Sequence, residues 1–140
     1  VTLQRLVIAD GGRKAAGFQE ACGGCVARAI AIAAELPYRK VHGELRALCT
    51  IFAQDRHYMR GRRKPDDPDS GLPEIIWKIY LNQLGWTWVP VGQKLYYWEL
   101  PKGRLVVIVP RHAVAVIDRC VFDTFDSWRA RRAVQGYWHK

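Results

Sequence analysis

The stretch from Cys25 to Leu36, CVARAIAIAAEL, is apolar nearly all round, with only Arg28 and Glu35 interrupting it. A helix without a polar face must be buried on most sides, so the rest of the chain has to wrap this segment. Its alanine content favours helix over strand. Pro37 breaks the run and suits the first position of a second helix, over residues 37 to 52, with Val41, Leu45 and Leu48 on one face. A third helix is expected over residues 73 to 84, with Ile76, Ile79 and Tyr80 inward and Gly85 as its stop.

Strand patterns dominate the remainder. TLQRLVIA (2 to 9) alternates weakly and ends at the turn DGG. WTWVPV, LYYWEL, RLVVIVP, HAVAVI, CVFDTF and AVQGYW follow the third helix. The expected fold class is therefore α+β: a buried N-terminal helix and further helices packed on a C-terminal antiparallel sheet. With 140 residues, a single domain over 1–140 is expected. Residues 54 to 72, ending in KPDDPDSG, read as an exposed basic and acidic loop inside that domain. The aromatic residues between Trp77 and Trp98 and at the C-terminus fit core and edge packing at strand spacing.

Charge narrows the classes of partner. Lys and Arg outnumber Asp and Glu by 22 to 13, a net charge of +9. That balance favours nucleic acid, an anionic surface or an acidic protein. Arg56, Arg60, Arg62, Arg63 and Lys64 concentrate it in one polar segment. No run reaches the roughly 18 apolar residues of a membrane span. The first residues lack an uninterrupted apolar stretch of the signal-peptide kind, so reduced thiols are the expectation for Cys22, Cys25, Cys49 and Cys120.

Cys22 and Cys25 stand at the head of the buried helix, and four readings compete. A zinc site needs two more ligands at matching spacing, and no second CxxC or HxxxH exists, so no metal or cofactor is expected. A redox dithiol fits the helix N-terminus, but the preceding AAGFQEA is not a strand. A tight glycine turn with inert thiols is the plainest reading, and a Cys22–Cys49 pairing stays open. The fourth makes Cys25 a nucleophile, which requires a histidine base and an acceptor to orient that base. Of the four histidines, His112 alone begins an apolar strand, where a sheet holds it rigidly.

The next strand supplies the acceptor. If Asp118 and Arg119 form a two-residue turn, Ile117 pairs with Cys120 and paired positions sum to 237. His112, Val114, Asp123 and Phe125 then share one face, and Asp123 is a diagonal neighbour of His112. A turn one residue longer places Asp126 opposite His112 instead. Both carboxylates stay candidates.

QEACGGCVA resembles the active-site segment of papain-like cysteine peptidases, in which a Gln precedes the Cys by six residues and a Cys-Gly-x-Cys leads into the central helix. HAVAVI is similar to that family's His-bearing strand, and DSW places Asp126 where the family has Asn before Ser-Trp. The chain overall resembles small uncharacterised papain-fold proteins of bacteria and phages, through DGGRKAAGF, CVARAIAIAAELPYRKV, LGWTWVP, LPKGRLVVIVPRHAVAVID, FDTFD and GYW. The resemblance implies a thiol hydrolase acting on a peptide or protein, cytoplasmic in a bacterial or phage-infected cell or secreted as an effector. It implies Cys25 as nucleophile, His112 as base, Asp126 as its orienter in place of the Asp123 that the hairpin offers, and Gln19 as an oxyanion donor. The alternative is an inactive fold of this type that contacts nucleic acid or an acidic partner through the basic segment.

Overall fold

The computed structural model describes residues 5–19, 23–128 and 131–140. The apolar run forms α1 (Cys25–Ala34). It is followed by α2 (Tyr38–Ala53), a single turn α3 (Arg56–Met59) and α4 (Glu74–Gln83). Strand β1 (Leu6–Ile8) precedes the helices, and β2 (Thr87–Leu95), β3 (Arg104–Val109), β4 (His112–Ile117), β5 (Cys120–Asp123) and β6 (Arg132–His139) follow them. The fold is α+β with one six-stranded sheet in the order β1-β5-β4-β3-β6-β2. β1 runs parallel to β5 and every other pair is antiparallel, so the sheet is mixed.

The central strands are apolar on both sides because both sides are covered. Val106, Ile108, Ala113, Ala115 and Trp138 face the helices, where they join Ala27, Ile30, Val41, Leu45, Ile76 and Leu81 in one core. Leu105, Val107, Val114, Val116, Val121 and Val134 face the opposite way, under Leu100, Trp128 and Tyr97. Continuous apolar runs are what a doubly buried strand requires. Trp77, Trp88 and Trp138 close one end of the helix-side core, with ring centroids 5.4 to 6.4 Å apart.

Two segments differ from the pattern in the sequence. LYYWEL is not a strand: β2 ends at Leu95 and Tyr97–Glu99 form a 3-10 turn. The Glu99 carboxylate accepts the Tyr96 N–H at 2.5 Å, and this local closure outcompetes extension. The polar segment 54–72 is mostly exposed at its start, yet it is not featureless. Asp55 caps α3 by accepting the Tyr58 N–H at 3.0 Å, Arg62 lies over the Tyr58 ring and pairs with Asp66, and Pro68 is buried.

Gly136 marks the tightest point of the sheet. It pairs with Pro90 on one side and Ile108 on the other, and an added Cβ would lie 2.5 Å from the Trp88 ring and 2.6 Å from the Val89 carbonyl. Gly136→Ala is therefore expected to destabilise the protein by about 1–3 kcal/mol, the usual cost of overpacking, read as a lower urea midpoint.

Candidate active site

Cys25 is the first residue of α1, and the segment before it is gripped from two directions. Gly23 forms an isolated bridge with Ser70, and a Cβ on Gly23 would sit 2.5 Å from the Asp69 carbonyl oxygen and 2.6 Å from the Ser70 carbonyl carbon. Only glycine permits that approach. Gly24 is buried against two guanidinium groups, with an added Cβ 3.0 Å from Arg13 Nη1 and 3.2 Å from Arg28 Nη1.

Arg13 is the hub of this grip. Its Nη1 donates to the Tyr38 hydroxyl at 2.5 Å and to Asp69 Oδ1 at 2.7 Å, and its Nε donates to the Gln19 carbonyl at 2.6 Å. The His42 Nε2 lies 3.1 Å from Asp69 Oδ2. The Phe18 ring packs on Tyr38 and His42, with centroids 5.4 and 4.3 Å away. A buried guanidinium needs such partners, because an uncompensated one is costly. Burial alone would raise the Asp69 carboxyl, but the hydrogen bonds from Arg13 and His42 outweigh it and hold the carboxyl below its ordinary range.

The other half of the site comes from the sheet. β4 and β5 pair with Ile117 opposite Cys120, so positions sum to 237 as the two-residue turn demands. Asp118 and Arg119 take φ of 48° and 64°, the left-handed corners that let a two-residue hairpin follow the strand twist. This register puts His112 and Asp123 on one face. His112 Nε2 is 2.6 Å from Asp123 Oδ2. The Ser127 hydroxyl donates to the same oxygen at 2.6 Å, and the Thr124 N–H donates to Oδ1 at 2.7 Å. Asp123 and Ser127 are both buried, and Phe125 packs its ring 5.5 Å from the imidazole.

These contacts set the charges. Burial would raise the Asp123 carboxyl, but the bonds from His112, Ser127 and the Thr124 N–H hold it low. Burial would lower His112, but the Asp123 carboxylate and the Cys25 sulfur together push it from its ordinary 6.5 up to about 9. Burial would raise the Cys25 thiol. The hydrogen bonds with His112 and the Ala113 N–H, with the charges of His112 and Arg28, outweigh that and hold it below its ordinary 9.0. Because Nε2 is committed to Asp123, Nδ1 is the ring nitrogen left for the Cys25 sulfur.

The structure brings together Cys25, His112 and Asp123. Asp126 is exposed and His112 bonds Asp123 in its place, because the short turn fixes the 237 register. Gln19 is exposed, and its side chain makes no hydrogen bond among the described residues. Cys22 lies outside the described residues. Cys49 is a buried free thiol that burial and the charges of Asp66 and Asp67 push up to about 11. Cys120 is also free. Among the described residues no group of three or more His, Cys, Asp or Glu side chains could hold a metal ion. No described helix is long and apolar enough to cross a membrane.

Arg13, Asp69 and Ser127 were not visible as site residues in the sequence. Ser127 left a trace in DSW, but there it pointed to its neighbour Asp126 rather than to the carboxylate it bonds. No family model matches the chain, and no curated protein or solved structure matches it.

Two measurements check this geometry. The His112 imidazole should titrate near 9 by NMR, fall toward 6.5 in Asp123→Asn, and stay high in Asp126→Asn. Asp69→Ala should cost roughly 1–3 kcal/mol in chemical denaturation, less than a fully buried pair because Asp69 is partly exposed.

Proposed function

We propose that the chain is a cysteine-dependent acyl-transfer enzyme of papain-like architecture, a peptidase or isopeptidase. The observation that carries this reading is a thiol at the N-terminus of a buried helix, held below its ordinary pKa in part by a histidine whose Nε2 lies 2.6 Å from a buried carboxylate. A helix N-terminus and an adjacent imidazolium both stabilise a thiolate.

In this reading the Cys25 thiolate attacks a substrate carbonyl carbon. The developing oxyanion is received by the Cys25 backbone N–H, in the first turn of the helix where N–H groups have no partner within the helix, and by the Gln19 side-chain amide. His112 hands its Nδ1 proton to the leaving amine, and a thioester with Cys25 remains. Water then attacks the thioester while His112 takes back a proton, releasing the acid and the thiolate. Asp123 keeps the ring in one tautomer and stabilises its cationic form.

A second reading keeps the fold as a binding module for nucleic acid or an acidic partner. It is favoured by Arg56, Arg60, Arg62, Arg63 and Lys64, all exposed, with Arg62 also lying over the Tyr58 ring and pairing with Asp66.

The deciding experiment is iodoacetamide alkylation against pH, mapped by mass spectrometry. Cys25 should react at pH 5–6 at least about tenfold faster than Cys49 and Cys120, since the thiolate alone is nucleophilic. His112→Ala should abolish the difference. The sign of the pH dependence follows from the two shifts. Reactivity rises as Cys25 loses its proton below 9.0, and the ion pair disappears as His112 loses its own near 9. A Cys25 that reacts like an ordinary thiol sinks the enzyme reading and leaves the binding module, for which salt-dependent nucleic-acid binding is the next measurement.

A further inference from the structure

One buried charge takes no step in the reaction described above. Arg28 is only 8 % exposed, in a helix whose other buried residues are all apolar. A charge is unfavourable to bury and persists only where something answers it. Its place follows from the geometry of α1. Arg28 stands three residues after Cys25, and positions three apart share one face of a helix. Long side chains on a helix lean back toward its N-terminus. Arg28 does so: its Nη1 lies 3.2 Å from the point that a Cβ on Gly24 would occupy, and Gly24 directly precedes Cys25. Gly24 is buried, and its missing side chain leaves the room that the guanidinium uses.

Arg13 reaches the same point, with its Nη1 3.0 Å away, but it is engaged elsewhere. Asp69 lies 2.7 Å from it, and it donates to the Tyr38 hydroxyl and to the Gln19 carbonyl. Arg28 bears on the nucleophile itself. Burial pushes the Cys25 thiol up, and the charge of Arg28 stands with His112 among the influences that bring it down. These two cations differ in kind. His112 gives up and regains a proton in the course of the reaction, and it loses its charge near 9. A guanidinium keeps its proton throughout the range in which proteins stay folded.

We propose that Arg28 is a positioning residue for the acyl-transfer reaction: its buried guanidinium is a fixed counter-charge to the Cys25 thiolate, independent of the proton that His112 carries. This deepens the acyl-transfer reading above and rests on it. The fixed charge acts twice in the cycle. It holds the sulfur as an anion before attack. When water has added to the thioester, the C–S bond breaks with its electron pair going to sulfur, and a cation beside that sulfur makes it the better leaving group.

The test follows alkylation of Cys25 by iodoacetamide against pH, mapped by mass spectrometry; the reagent is neutral, so no charge steers it. Arg28→Met fills the same buried space with an apolar chain. In that variant the midpoint at which Cys25 becomes reactive should rise by about half to one pH unit, the range a single nearby charge supplies inside a protein. Alkylation at pH 6 then slows about three- to tenfold. The limiting rate at high pH should hold or rise, because a more basic thiolate is the stronger nucleophile. Loss of packing alone would lower stability without producing this pair of changes. Arg28→Gln should move the midpoint the same way and carries the test if Arg28→Met does not fold. Arg28→Lys keeps the charge and should keep most of the low midpoint. Lys78→Met removes one positive charge from an exposed position on α4 and should leave the midpoint in place, which separates a local effect from net charge. A midpoint as low in Arg28→Met or Arg28→Gln as in wild type overturns the role of Arg28 and leaves Cys25 and His112 standing. A wild-type Cys25 that titrates like an ordinary thiol overturns the acyl-transfer reading and this proposal with it.

Discussion

The close seating of α1 against β4 determines where the Cys25 sulfur meets the His112 ring. Ala113 and Ala115 present small side chains toward the helix, and Ala27, Ala31 and Ala33 answer from the helix side. Small residues on both surfaces let the backbones approach, and a packed interior then leaves little freedom to slide. The Ala113 N–H reaches the Cys25 sulfur because of that approach. Moving α1 outward by the width of a methyl group would break this contact and the one to His112 together. The apolar character of the helix is thus a requirement of the site as much as of the core.

Electrostatics on the helix side has a clear division of labour. Two guanidinium groups lie under Gly24 at the N-terminus of α1, where the helix already carries partial positive charge. Left alone, this much positive charge in a buried corner would be unfavourable. Asp69 compensates Arg13 from the segment after α3, and the charges of His112 and Arg28 favour an anion at Cys25. The same carboxylate also bonds His42, so one residue joins α2, the N-terminal segment and the glycine pair before Cys25.

Much of the sheet half was legible because local rules dictated it. A two-residue turn admits one register; the sequence left the turn length open, and with it Asp123 against Asp126, and the pairing of Ile117 with Cys120 is the two-residue case. The likeness to papain-type DSW pointed to Asp126, whereas strand alternation in the two-residue register pointed to Asp123, the carboxylate that His112 bonds. Helix bounds followed from Pro37, Pro73 and Gly85 to within a residue or two. Two things escaped. The 3-10 turn at Tyr97–Glu99 depends on one side-chain contact, Glu99 to the Tyr96 N–H, inside a segment with strand composition. The Arg13–Asp69 pair joins residues 56 positions apart, and a single sequence carries no sign of which distant charges will meet. A polar segment looks solvated until its partner is known.

Asp123 is held at three points: His112 and Ser127 on one oxygen, the Thr124 N–H on the other. A carboxylate fixed this way has no rotation left about its last bond. An imidazole bonded to it at 2.6 Å cannot turn without breaking that bond, and Phe125 occupies space beside the ring. Angular disorder that a looser histidine would lose only on meeting its substrate has been removed here as the sheet formed. The loss of freedom is charged to folding, so any carbonyl arriving at Cys25 finds a ring already aimed.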